Sequence, residues 1–291
     1  MHKAYTLIET IVVMAIFAVL VALTLSGVQR VRESAARASC QNNLRQQGLA
    51  LQQYSNAHGT LPAGCSTQGG PNSMPMLGWQ ARLLPYIEQP SLWEQTVAAF
   101  KSDRNFSHKP PHECAAVVIP VYGCPSDGRT KSAQSYNGNY YGPTSYLGVS
   151  GTQSFRREGV LFVDSSVKMT DIIDGASNTI AIGERPPSAD SRFGWWYAGL
   201  GQEADGDADM HLGVRGLNNR TLYPKCAVGP YHFKAGTVTD QCDMFHYWSL
   251  HTGGANFAFA DGSVRFLSYS ADAILPALST RAGGESAAPA E

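Results

Sequence analysis

The sequence predicts an α+β protein in which one long N-terminal helix crosses a membrane with its first half and packs its second half on an antiparallel sheet. Three observations carry that expectation. Ile11 to Leu25 is apolar and free of charge, and no proline occurs before Pro62, so nothing interrupts a helix from Leu7 to about Ala57. Short β-branched and aromatic segments alternate with Gly, Pro, Asn and Ser after residue 115. Ala255 to Ala260, then Asp261-Gly262, then Ser263 to Leu267 reads as a β-hairpin with a two-residue loop.

The helix divides into two parts. Leu7 to Val28 spans roughly 33 Å as a helix, enough for a bilayer. A short leader carrying Lys3 precedes it, and one carboxylate, Glu9, sits inside the apolar run. A charge at that depth costs about 3 kcal/mol on insertion scales, so it marks a functional position. Beyond the span, Val28, Val31, Ala35, Ala38, Leu44, Gly48, Leu51 and Tyr54 recur at spacings of three and four. They predict an amphipathic spine over residues 29–58 with one packing face. Two alternatives are a cleaved secretory signal, whose apolar region is shorter and ends at small residues, and the core helix of a soluble protein. The positive-inside rule divides here: Lys3 places the N-terminus in the cytoplasm, while Arg30, Arg32 and Arg37 follow the span.

Residues 59–280 form the expected globular body. Gly59 to Pro75 reads as an exit loop, and Trp79 to Phe100 as helix interrupted by Pro85 and Pro90. Strand expectations fall on Val117 to Tyr122, Tyr140-Tyr141, Ser145 to Val149, Val160 to Val163, Thr179 to Ile182 and Trp195 to Tyr197. Residues 281–291 are small and polar and read as a disordered tail.

Composition narrows the function. The net charge of -1 gives no reason to expect nucleic acid, and 15 % charged residues with 29 glycines suits a loop-rich extracytoplasmic body. The chain has no G-x-S-x-G, no H-E-x-x-H and no P-loop, so no enzyme is expected. Six cysteines, with no C-x-x-C among them, suit disulfides outside the cytoplasm. Cys226 with Cys242, which enclose a 15-residue segment, is the first choice; Cys40 with Cys124 would staple spine to body, leaving Cys65 with Cys114. Asp205, Asp207 and Asp209 alternate along one loop and are candidate oxygen ligands for Ca²⁺, although the downstream Glu of an EF-hand is missing. They read equally as a solvated acidic loop, and no other cofactor is indicated.

Several motifs in order resemble one family. They are Tyr5-Thr6-Leu7-Ile8-Glu9, Cys40-Gln41-Asn42-Asn43-Leu44, Leu84-Pro85-Tyr86-Ile87-Glu88-Gln89, Cys124-Pro125-Ser126-Asp127, Asp174-Gly175-Ala176-Ser177-Asn178-Thr179, and His251 followed by Asp261-Gly262. The chain resembles the planctomycete group of pilin-like proteins with a prepilin-type N-terminus, a DUF1559 domain and a terminal His-x9-Asp-Gly motif. It departs by Ala4, where the family usually has Gly, and by Ser26-Gly27, where a proline is usual late in the span.

The resemblance implies a pilin-like fold and a structural role as a type IV pilin or type II secretion pseudopilin. It implies a leader, residues 1–4, cut between Ala4 and Tyr5 by a prepilin peptidase, N-methylation of Tyr5, a transmembrane segment over residues 5–28, and self-association through the N-terminal helices. Other pilins or pseudopilins and their assembly machinery are the implied partners. The location is the inner membrane, N-terminus cytoplasmic and body extracytoplasmic, with a surface filament as a further destination. Glu9 is then the assembly residue, paired with a neighbour's Tyr5 amine so that each charge offsets the other's desolvation. Some major pseudopilins bind calcium, which adds to the interest of the Asp205–Asp209 loop. His251, Asp261 and Gly262 read as loop anchor and turn more than as a catalytic pair. The alternative is a membrane-anchored polysaccharide-binding module, with Gly194 to Tyr197 and Asp205 to Asp209 as its site.

Overall fold

Helix α1 runs unbroken over Leu7–His58 and organises everything after it. The computed structural model describes residues 7–70, 73–219 and 222–284. The helix ends where Gly59 takes a left-handed φ of 78° and returns its N–H to Ser55 O at 2.8 Å, a glycine stop. Among the described residues its first half is exposed: Leu7, Ile8, Met14 and Phe17 are 79, 73, 66 and 64 % exposed. The most apolar 18-residue window has mean hydropathy 2.8 and none of it is buried.

The second half packs, but on a narrower face than the periodicity predicts. Cys40, Leu44, Gln47 and Leu51, at steps of four, three and four, form the buried stripe. Gly48 and Tyr54 face the body as expected, whereas Val28, Val31, Ala35 and Ala38 stay exposed. Val28 and Val31 precede the first contact with the body, at Glu33, while Ala35 and Ala38 lie off the face that Glu33 and Arg37 turn to it.

The body contains α2 (Trp79–Arg82), α3 (Pro90–Ser102), a hairpin of β1 (Gln134–Tyr136) and β2 (Asn139–Tyr141), then β3 (Tyr146–Val149), β4 (Ile180–Glu184), β5 (His211–Leu212), β6 (Gly254–Phe259), β7 (Val264–Ser268) and α4 (Leu275–Ser279). The main sheet has the order β5-β3-β4-β6-β7. The β3–β4, β4–β6 and β6–β7 pairs are antiparallel, but β5 lies parallel to β3, so the sheet is mixed and not purely antiparallel. That two-residue strand is donated by the loop that follows Asp205–Asp209, and periodicity does not register so short a pairing.

Strand β6 is buried along its whole length and separates two cores. Ala258 joins Leu44, Leu51, Leu161 and Ile182 beneath α1, while Phe257 and Phe259 point oppositely, into a cluster with Phe233, Phe245 and Tyr247. The alternation is that of a strand, with small side chains on the face that admits the helix. A third cluster gathers Ala81, Leu84, Phe100 and Trp196 under α2 and α3.

Five expectations need correction. Val117 to Tyr122 forms no strand: turns surround Pro120, and Val121 O and Gly123 O accept from Gln47 Nε2 and Asn43 Nδ2 of α1, so this backbone serves helix side chains. Val160 to Val163 and Trp195 to Tyr197 form no strands: they bend, all but Phe162 are buried, and single bridges at Val163 and Trp195 join them to neighbours. The β6–β7 loop has three residues, Ala260 to Gly262: Gly262 N–H reaches Phe259 O at 2.9 Å, Phe259 N–H reaches Ser263 O at 2.8 Å, and Gly262 has φ 83°. The tail is held through Gly284, because Arg281 Nη1 donates to Arg157 O and Gly159 O while the Gly283 and Gly284 N–H groups cap Asp174. Residues 285–291 lie outside the described residues.

The hairpin turn seats directly on the spine. A Cβ added at Gly48 would lie 3.1 Å from Gly262 Cα, so the helix approaches the turn backbone to backbone. We predict that Gly48→Leu destabilises the full chain by about 1–3 kcal/mol through overpacking. The neighbouring exposed Leu49→Ala should change stability by no more than about 0.5 kcal/mol. Thermal unfolding in detergent micelles checks both.

Candidate functional site

The chemistry of the chain concentrates where α1 leaves the membrane-facing end of the sheet. Glu184, the last residue of β4, is 1 % exposed. Its Oε2 accepts from Asn256 N at 2.6 Å and Asn256 Nδ2 at 3.1 Å, across the β4–β6 ladder. Asn256 Oδ1 in turn accepts from Gln41 Nε2 of the helix at 3.0 Å. His251 lies just before β6, its side chain fully enclosed, with Nδ1 at 2.9 Å from Glu33 Oε1 of the helix and Nε2 at 3.6 Å from Glu184 Oε1. The second separation is an ion-pair distance and too long for a hydrogen bond. The Cys40–Cys124 disulfide closes the fourth side, with Cys124 Sγ 3.6 Å from His251 Nε2.

Both imidazole nitrogens of His251 therefore face acceptors, and only the imidazolium offers a proton to each. Burial opposes charging, but the Glu184 and Glu33 carboxylates outweigh it and hold the His251 pKa above its ordinary value. An open groove of about 690 Å³, lined by residues including Glu33, Arg37, Gln41 and Thr252, runs alongside. Arg37 forms part of its wall and stacks 3.6 Å above the Phe266 ring of β7.

Sequence reasoning singled out His251 but did not join Glu33, Glu184 or Asn256 to it. Glu184 had only its place at the end of an apolar strand as a signal. Asp261 and Gly262 do not join His251: they lie at the opposite end of β6, where Asp261 Oδ1 accepts from Ser263 N at 2.9 Å and shapes the turn. Both ends of the motif meet α1, His251 at Glu33 and Gly262 at Gly48. Glu9 lies in the exposed first half of α1. Ala4 and Tyr5 lie outside the described residues.

The acidic loop does not converge as a calcium site. Asp207 accepts from Ser154 Oγ and from Gln202 Nε2; Asp209 Oδ1 accepts from the Gly194 and Trp195 N–H groups; Asp205 Oδ1 accepts from Asp207 N. The three carboxylates are thus spent on three separate sets of donors. Among the described residues, His, Cys, Asp and Glu ligand atoms converge in one place, Cys40, Cys124, Glu184 and His251, all within 4.8 Å of one another.

Cysteine pairing follows the sequence expectation twice and fails once. Cys226 bonds Cys242 and Cys40 bonds Cys124, but Cys65 and Cys114 are buried free thiols. Cys65 is bridged to Gly78 and Val163 and its thiol faces Gly199 O, whereas Cys114 faces Thr96 Oγ1 of α3. Each sulfur is directed at a different element. Burial, with Asp209, Asp205 and Asp164 nearby, pushes the Cys65 thiol up and keeps it protonated.

Burial also lifts Asp207 and Asp209, each to about 7. Unfolded, both titrate near 3.8, so between those values the folded chain holds more protons and stability falls as pH rises. Asp243 and Asp272 act in the opposite sense, because contacts with His246 and His232 outweigh burial and depress their pKa. We predict that melting temperature declines from weakly acidic pH to above pH 7, and that Asp207→Asn flattens that decline. A pH series of thermal melts checks it.

Comparison with known families agrees with this architecture. A family model described as "Protein of unknown function (DUF1559)" matches residues 29–273, and one described as "Prokaryotic N-terminal methylation motif" matches residues 1–25. Neither a curated protein nor a solved structure matches the chain. The methylation motif overlies the exposed apolar half of α1, and the other model covers the rest of the spine and nearly all of the body. The chain belongs to the DUF1559 family and carries a prepilin-type N-terminus.

Proposed function

We propose that the protein is a pilin-like or pseudopilin-like structural subunit, stored in the inner membrane and assembled into a type IV pilus or type II secretion pseudopilus. One observation carries the reading: residues 7–25 of the methylation-motif segment are an apolar helix, and among the described residues its side chains are exposed. The exposed surface continues past the span through Val28, Val31, Ala35 and Ala38. Side chains of that kind are covered by lipid before assembly and by neighbouring helices after it. A prepilin peptidase acts between Ala4 and Tyr5, and the new Tyr5 amine is methylated. The Tyr5 amine of one subunit and Glu9 of the next then meet in an apolar setting, where each lowers the cost of burying the other.

A second reading, a membrane-anchored polysaccharide binder, is favoured by one observation. A cleft of about 640 Å³ is bordered by Tyr136, Asn139, Arg192, Trp195, Gln202 and Asp209 and so joins the aromatic and acidic segments. Trp196 and Tyr197 are buried in the core and contribute no surface to it.

Two measurements test the assembly reading. Mass spectrometry of chain purified from native membranes should find a methylated Tyr5 at the mature N-terminus; an intact Met1 or a cut near Ser26 would overturn processing. Glu9→Leu should leave membrane insertion intact and reduce crosslinked oligomers or filaments at least about tenfold. Unaltered assembly by that variant would remove Glu9 from the mechanism and leave the binder as the better reading.

A further inference from the structure

We propose that the Cys40, Cys124, His251 and Glu184 cluster is a zinc site in the reduced protein, so that the seam between helix and sheet closes either by a disulfide or by a metal ion. The donor set is two thiolates, one imidazole and one carboxylate, a combination suited to tetrahedral Zn²⁺. His251 Nε2 lies 3.6 Å from both Cys124 Sγ and Glu184 Oε1. Tetrahedral ligands about 2.0–2.3 Å from a central ion are separated by roughly 3.3–3.8 Å. Cα atoms of Cys40 and Cys124 are 5.2 Å apart, so side-chain rotation alone opens the sulfurs to such a separation.

Two further features belong to a metal site more than to a simple salt bridge. Glu184 Oε1 is a buried oxygen with no hydrogen-bond partner, aimed at the cluster, while Asn256 fixes the other oxygen with two N–H groups. His251 Nδ1 is held by Glu33 Oε1 at 2.9 Å, which directs Nε2 inward. That carboxylate–imidazole relation is the usual outer support of a zinc-bound histidine. Gln41 and Thr252 flank Cys40 and His251 and line the groove, giving an ion a route in.

The redox balance is simple. Loading the reduced chain releases the two thiol protons, and the His251 Nε2 proton when it is present, as two Sγ–Zn bonds form. Exchange with a small-molecule or protein disulfide then forms the Cys40–Cys124 bond, breaks the incoming disulfide to two thiolates and frees Zn²⁺. Two electrons pass from the bound thiolates to that disulfide. A dithiol runs the exchange backwards.

The test uses the full chain in detergent micelles, with Zn²⁺ alone as the probe, in competition with a chromogenic chelator. Under anaerobic conditions, chain reduced by a phosphine should bind one Zn²⁺, and oxidised chain none. Cys226→Ser/Cys242→Ser should retain the ion after reduction and Cys40→Ser/Cys124→Ser should lose it. His251→Gln and Glu184→Gln should each weaken binding at least about tenfold, and Glu33→Gln, a positioning residue, by about tenfold. Should a variant fail to fold, Co²⁺ bound to unmutated reduced chain supplies the readout: intense ligand-field bands of tetrahedral coordination with a thiolate charge-transfer band. No uptake by the reduced chain, uptake that follows Cys226 and Cys242, or a weak octahedral Co²⁺ spectrum would each overturn the proposal.

Discussion

Glu184 is a carboxylate buried at the end of a central strand, and the molecule is arranged around the need to keep it paired. An uncompensated charge at that depth costs several kcal/mol. Asn256 supplies two N–H groups from the adjacent strand, and the His251 imidazolium supplies opposite charge from the loop before it. His251 is itself held by Glu33, and Asn256 by Gln41, both on the helix. Holding this one buried carboxylate therefore fixes the relation of strand to strand and of sheet to spine. Removing His251 would leave the carboxylate with only neutral donors, so the network depends on its members jointly.

This seam explains the wide spacing of the terminal motif. Its histidine and its Asp-Gly stand at opposite ends of β6, and each end is seated on α1. Between them the strand presents small or polar side chains to the helix and large aromatic ones to the other core. The motif specifies where a strand begins and ends against a helix, a structural use of residue types that in another arrangement would suggest catalysis.

Long-range periodicity made the largest features legible. The uninterrupted helix, the apolar first half and the closing hairpin were readable because each rests on local pattern, whereas the two cysteine pairings were choices among the roughly fifteen connectivities open to six cysteines. Asn137-Gly138, with both residues at positive φ between β1 and β2, was a readable turn that the sequence reading passed over. What was not legible depends on contacts distant in sequence. Gln47 looks like a surface residue by type, yet it is fully buried because Val121 O accepts its amide. The Asp205–Asp209 carboxylates look like ion ligands until the loop folds and directs them to different N–H and hydroxyl groups. Glu33 and Glu184 could not be joined to His251 without the register of β4, β6 and α1.

The Cys40–Cys124 bond spans 84 positions in sequence and joins the body to the middle of the helix. Any pull on the membrane half thus reaches the body through a covalent link at residue 40, before it reaches the packed turns from Leu44 to His58. Those turns and the exit loop lie inside a closed covalent ring and are shielded from axial load. In mechanical terms the chain is a rod welded to its head partway along, and the noncovalent packing of the turns beyond the weld sets alignment while the sulfur bridge carries tension.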